Sequence, residues 1–341
     1  MAAVVVAALV LFIRHECRVE EPIIDLTLFA DSSFRLMAMA AFLTDGAFLC
    51  SIVFIPLFMV NVLDFSATRA GATVMPLTLG LVTANITSGR LASRIGSYKP
   101  ILVPALVLAS AALLLFSLTL NAKQSQLLIV AKLFLVGLGL GPSIPMLKQM
   151  MVNHVSRQKI GMASSTAAFV RQLGNTVGLA VYGTVLTSIL AVAVVGKMQP
   201  ALQPLSAAMP ELEISVAGSS GESRFDADQL LGKIENRYQV LLTHFQQQPS
   251  LTAEDWQLLG LDSTSAKQMS PSVLTDLANQ RLTQAKTNIK VAEQAFKDAW
   301  VRAVRAIFLA AMIVVVCGLL AVMLIPEVPF RELGNSRGEV K

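Results

Sequence analysis

Residues 165–183 read STAAFVRQLGNTVGLAVYG, and an apolar run carries this stretch on to Val195. Arg171 and Gln172 stand side by side within it, and glycines follow at 174, 178 and 183. A soluble helix would turn an arginine to water. Here the surroundings are apolar or small, so the helix has no ordinary wet face. At 1.5 Å per residue the run from Ala163 to Val195 is long enough to cross a hydrocarbon core about 30 Å thick. Gly174 and Gly178 form a G-x-x-x-G pair, which puts small residues on one face and lets another helix approach closely. Arg171 lies about eight residues into the run, roughly 12 Å from its start. Two destinations are open to it. Its long side chain can snorkel to the nearer membrane surface, or it can face a polar cavity inside a bundle and meet an acidic group or a substrate.

The rest of the chain supports a membrane setting. Of 341 residues, 54% are hydrophobic and only 14% charged, where an ordinary globular domain carries about a quarter charged. Mean hydropathy is +0.64, and a soluble protein this apolar would lack the polar surface to stay dissolved. Six runs pass the length test for a spanning helix: Leu36–Val62, Ala70–Thr87, Ile101–Leu120, Leu127–Leu147, Ala163–Val195 and Ala306–Ile325. A seventh, Ala2–Ile13, is too short. It lacks the basic start and small-residue cleavage site of a signal peptide, and reads as the end of a truncated transmembrane helix. The expected fold is therefore an all-α integral membrane protein with six full transmembrane helices plus a truncated N-terminal one.

The expected organisation runs as follows. Residues 1–13 end the truncated helix and 14–35 form a cytoplasmic amphipathic linker. Five helices occupy 36–195, an extracytoplasmic loop with a helical second part 196–299, the last helix 300–325 and a cytoplasmic tail 326–341. Orientation rests on the short loops. One side carries Arg14, Arg18, Arg35, Arg90, Arg94, Lys99, Lys148, Arg157, Lys159, Arg331, Arg337 and Lys341, while the other carries Arg69 and Lys123. The C-terminus is thereby placed in the cytoplasm. Trp300 is expected at the opposite interface, with Arg302 and Arg305 snorkelling outward.

The net charge of +5 comes mostly from connecting segments. With no basic patch interleaved with aromatics, nucleic acid is not an expected partner; the lipid bilayer is. Cys17, Cys50 and Cys317, like His15, His154 and His244, are scattered, so no metal site is expected. No catalytic constellation emerges, and an enzyme is not expected.

Charges inside spans are expensive and mark functional candidates. Asp45 lies about nine residues into its run, about 14 Å deep. It can serve proton coupling or substrate contact, or act as a hydrogen-bonding group in a polar cavity. Lys132 lies near the outer end of its span and reads as snorkelling. Thr44, Asn85, Gln172 and Asn175 are candidates for a polar path. Gly137, Gly139, Gly141 and Pro142, in GLGLGPSIP, predict close packing and a kink, because proline lacks the donor for an i→i−4 bond.

The segment GRLASRIGSYKP (89–100) joins two spans on the basic side. Gly89 and Gly96 permit tight turns, Arg90 and Lys99 add positive charge, and Arg94 can cap the preceding helix. This segment resembles the loop motif of major facilitator transporters: Gly89, Arg94 and Gly96 match, and Ser93 stands at the acidic position. EEPIIDLTLF, SATRAGATVMPLTLG and GMASSTAAFVRQLGNTVGLAVYGTVL resemble successive parts of the fourteen-span drug:proton antiporter branch. The order and spacing match its C-terminal half, over about residues 20–190 plus the last span. The resemblance implies multidrug efflux of lipophilic, often cationic compounds across the cell (inner) membrane by alternating access. It implies a proton gradient as energy source and no cofactor; for the other half of the cavity, a separately encoded N-terminal half as partner, self-association and a fragment of a split gene are the open readings. Other readings are a non-transporting scaffold or regulatory fragment, and a metabolite or siderophore permease of the same superfamily.

Overall fold

The computed structural model describes residues 26–122, 124–208, 227–247 and 271–326. The truncated helix assigned to 1–13, residues 14–25 of the linker, Lys123, parts of the 196–299 loop and the tail from 327 lie outside the described residues. Within them the chain is helical and forms no β-strand. Six helical stretches are long and apolar enough to cross a membrane. The chain divides into two compact units.

The first unit holds Phe65–Val185, the chain up to Val60 and the chain from Val304. It begins with a short 3-10 turn, Leu26–Ala30, and then α1, Ser32–Val62. Asp31 starts α1: its Oδ1 accepts from the Ser33 backbone N–H at 2.7 Å, satisfying one of the donors that a helix start leaves open. Its Oδ2 meets His154 Nε2 at 2.8 Å. These two contacts, His154 first and the Ser33 amide second, hold the Asp31 carboxyl below its ordinary pKa.

After a one-turn helix α2, Ala67–Ala72, come α3, Met75–Ile95, and α4, Lys99–Thr119. Here the structure corrects the sequence reading. Residues 89–95 are not a loop but the last two turns of α3, and Gly89 sits on an exposed face with open space around it. Only Gly96 turns the chain, with φ 74° and its N–H on the Ala92 carbonyl, a left-handed helix end that suits glycine. Polar residues extend the helix beyond its apolar run because the backbone ladder continues as long as side chains tolerate it.

The fourth run divides into α5, Gln126–Leu140, and α6, Ser143–Asn153. The break falls at Gly141 and Pro142, where the sequence predicts a kink. A Cβ on Gly137 would collide with the Leu77 carbonyl, and one on Gly141 would lie 2.8 Å from Ala84 Cβ. A Cβ on Gly139 would lie 2.6 Å from Ala109 Cα. Thus α5 turns Gly137 and Gly141 to α3 and Gly139 to α4.

Lys132 of α5 reaches the last residue of α4. It is 6% exposed, donates from Nζ to Thr119 Oγ1 at 2.6 Å and lies 5.4 Å from the Phe116 ring centroid. Arg305 donates to the Leu120 carbonyl and to Asn121 Oδ1, each at 2.8 Å; it thereby closes the carbonyl end of α4. Arg302 is exposed.

Helix α7, Ile160–Ala193, follows. Its last turns belong to the second unit, Asn61–Asp64 with Leu186–Ala303. A π turn, Val194–Met198, leads to α8, Gln199–Ala208; α9 is Ala227–Gln247. The final helix, α10, runs unbroken from Pro271 to Leu324, about 80 Å at 1.5 Å per residue. In the second unit α9 buries Ile234, Tyr238 and Leu241. Lys286 pairs with Glu235, and Lys297 with Asp64 and Glu293. Trp300 is 2% exposed and packs edge-on to Phe296.

Candidate functional site

Where α1 crosses α7, glycine removes the side chains that would hold the helices apart. A Cβ on Gly46 would lie 2.9 Å from the Gly174 carbonyl oxygen, and one on Gly178 would lie 2.8 Å from Gly46 Cα. A Cβ on Gly174 would run into the Phe42 carbonyl. On α7 the stripe is Arg171, Gly174, Gly178; on α1 it is Phe42, Asp45, Gly46. Residues three and four apart share a helix face, so the glycine spacing that closes the crossing also fixes which charges meet.

Asp45 and Arg171 meet there. Arg171 Nε donates to Asp45 Oδ2 at 2.5 Å and Nη2 donates to Oδ1 at 3.2 Å. Both carboxylate oxygens are engaged, in the two-pronged geometry that a guanidinium offers. The Asp45 side chain is 3% exposed and that of Arg171 27%. Asp45 also lies near the middle of its 31-residue helix. Of the two destinations open to Arg171 in the sequence, the structure takes the interior one.

The four polar-path candidates lie on three helices: Thr44 on α1, Asn85 on α3, and Gln172 and Asn175 on α7. Thr44, next to Asp45, turns its hydroxyl back to the Ala40 carbonyl at 2.8 Å. Asn175 follows Gly174, and its Oδ1 is buried without a hydrogen bond. Asn85 Oδ1 is in the same condition on α3. Gln172 lies on an exposed face of α7. Two buried hydroxyls escaped the sequence reading: Ser51 on α1 and Thr166 on α7, both 0% exposed and without a hydrogen bond. No local signal separates them from ordinary helical serine and threonine; only burial does.

Gly89, Arg90, Arg94 and Gly96 are all exposed at the end of α3. Arg94 stands in the last turn, where the helix dipole favours a cation. Lys99 donates to the Met323 carbonyl at 2.9 Å, joining this corner to the end of α10. Among the described residues no cluster of three His, Cys, Asp or Glu is placed to hold a metal.

Helices long and apolar enough to cross a membrane, with glycine-closed crossings and a mid-helix ion pair, fit a polytopic membrane protein. Residues 1–179 match the family model of the Major Facilitator Superfamily, and the chain belongs to that superfamily. It is 28% identical over 205 residues to the multidrug transporter protein MdtP of Bacillus subtilis (strain 168), covering 60% of this chain and 38% of the relative. It is 30% identical over 178 residues to multidrug resistance protein 3 of the same organism, covering 52% and 34%. A tetracycline resistance determinant of Streptomyces rimosus is 29% identical over 184 residues, covering 54% and 53%. The chain thus spans little more than a third of the first two relatives.

Proposed function

We propose that this chain supplies the C-terminal helix set of a proton-coupled multidrug efflux antiporter in the cell membrane, with its C-terminus in the cytoplasm. The observation that carries this reading is the buried Asp45–Arg171 pair at the α1–α7 crossing. An isolated carboxylate buried in a bundle is costly; a guanidinium makes it tolerable. Proton uptake on Asp45 removes the charge that holds Arg171, freeing the two helices to separate. Proton release restores the pair. Such a switch links proton occupancy to the helix movements of alternating access. A separately encoded N-terminal half would form the other wall of the cavity. The names of the relatives support drugs as the substrate class, lipophilic and often cationic. The uneven distribution of lysine and arginine supports the orientation.

The test is ethidium accumulation in cells expressing the chain together with an N-terminal half, before and after a protonophore. We expect lowered accumulation that the protonophore restores. Asp45→Asn and Arg171→Ala should raise accumulation to that of non-expressing cells at equal membrane abundance. Full efflux by both variants would overturn the reading.

A further inference from the structure

A cavity of about 430 Å³ lies between the first turns of α1 and the early part of α7. Phe29, Met39, Phe42, Phe169 and Leu173 form its apolar walls, and Arg35 is the charged residue lining it. Met39 is 47% and Leu173 40% exposed, so the cavity opens sideways from the bundle. Arg35 is pinned by its Nη1, which donates to the Phe29 and Ala30 carbonyls at 3.0 and 3.2 Å. Its Nε and Nη2 carry three further N–H donors and make no hydrogen bond among the described residues. Lys159 reaches Thr27, on the 3-10 turn that carries Phe29, at 3.5 Å, and Arg157 is exposed nearby in sequence. Among the described residues the carboxylate close by in sequence, Asp31, is already engaged by Ser33 and His154.

The occupant must therefore be apolar along its length and anionic at one end. It must also reach a site at the start of a membrane span, since α1 begins at Ser32. A cationic drug fits poorly, because Arg35 is the charged residue at the wall and, among the described residues, no carboxylate lines it. Basic pockets between transmembrane helices on the cytoplasmic side suit anionic lipid headgroups. We propose that this cavity is a binding site for one acyl chain of an anionic phospholipid, with the phosphate on Arg35. Its assignment to the cytoplasmic leaflet rests on the orientation proposed above. The bound chain touches both helices of the site crossing: Phe42 lines the cavity and also gives its carbonyl to the close approach of Gly174. The lipid is thereby a splint on the α1–α7 contact, next to the Asp45–Arg171 pair.

Native mass spectrometry of the purified full chain, titrated with phosphatidylglycerol or with phosphatidylcholine of the same acyl chains, tests this. We expect one retained phosphatidylglycerol and no matching phosphatidylcholine. Arg35→Gln should weaken retention roughly tenfold or more, the scale of one lost charge-assisted hydrogen bond, and Arg35→Lys should keep part of it. Leu173→Trp and Met39→Trp, both at exposed positions and so compatible with folding, should fill the cavity and abolish retention at an unchanged melting temperature. Equal retention of the two lipids, or Arg35→Gln behaving as wild type, would overturn the proposal. So would loss in Arg35→Gln with full retention in both tryptophan variants, which would mean a surface phosphate contact without a chain in the cavity. The measurement requires neither transport nor a membrane orientation, so its failure and a failure of the antiporter reading are separable.

Discussion

Asp45 and Arg171 are each poorly tolerated alone. Breaking a buried pair by removing one partner leaves an uncompensated charge, at a cost of about 3–5 kcal/mol, whereas replacing both with apolar residues is often close to neutral. We therefore predict that Arg171→Met lowers the melting temperature of the purified chain strongly. Asp45→Leu combined with Arg171→Met should recover most of that loss, although the double variant should not couple efflux to protons. Additive losses in a double-mutant cycle would show that the two side chains do not depend on each other. Asp31 offers a pH-dependent counterpart outside the spans. Its carboxyl is held low by His154 and the Ser33 amide, so it stabilises the folded chain at neutral pH. As pH falls below about 4, the ordinary aspartate value, the unfolded chain takes up the proton first. The contribution then shrinks, and vanishes once the native carboxyl protonates. The stability difference between wild type and Asp31→Asn, followed by thermal unfolding from pH 7 to pH 3, should narrow toward acid.

At the scale of helices, glycine position decides tolerance. Gly174 and Gly178 lie in backbone contact with α1, while Gly183, on the same helix, has open space where a Cβ would go. Gly178→Val should separate α1 from α7, destabilise the chain by roughly 1–3 kcal/mol as an overpacking substitution and pull Arg171 away from Asp45. Gly183→Ala and Gly89→Ala should be neutral or stabilising by up to about 1 kcal/mol, the helix-propensity difference. Melting temperatures of the three variants check this ranking. The helix ends teach a related lesson. Apolar runs locate spans well, because hydropathy is local, but Arg90–Ile95 continue the backbone ladder past the apolar boundary, and so do the polar turns of α10, which helix-forming residues rather than hydropathy announce. A hydropathy reading ends them early because it registers solvent preference rather than hydrogen bonding.

At the scale of the molecule, orientation is the open quantity with a direct readout. In a cysteine-free background, an impermeant maleimide should label Gln280→Cys in intact cells. Ser93→Cys should react only after permeabilisation; both positions are exposed. The reverse pattern would invert the proposed topology. Much of the chain's character was legible in its residues alone. The excess of apolar runs dictated a helical membrane protein, because unpaired backbone polar groups are not tolerated in hydrocarbon. The glycine spacing in STAAFVRQLGNTVGLAVYG announced a close helix contact. Which charge meets which was settled only in three dimensions. Asp45 and Arg171 are 126 residues apart, and neither neighbourhood names the other. Lys132 reaches Thr119 and Arg305 reaches the carbonyl end of α4, and no one-dimensional pattern records reach. Periodicity and hydropathy are properties of neighbours in the chain, whereas an ion pair belongs to a crossing, which exists only once the glycines have let two helices touch.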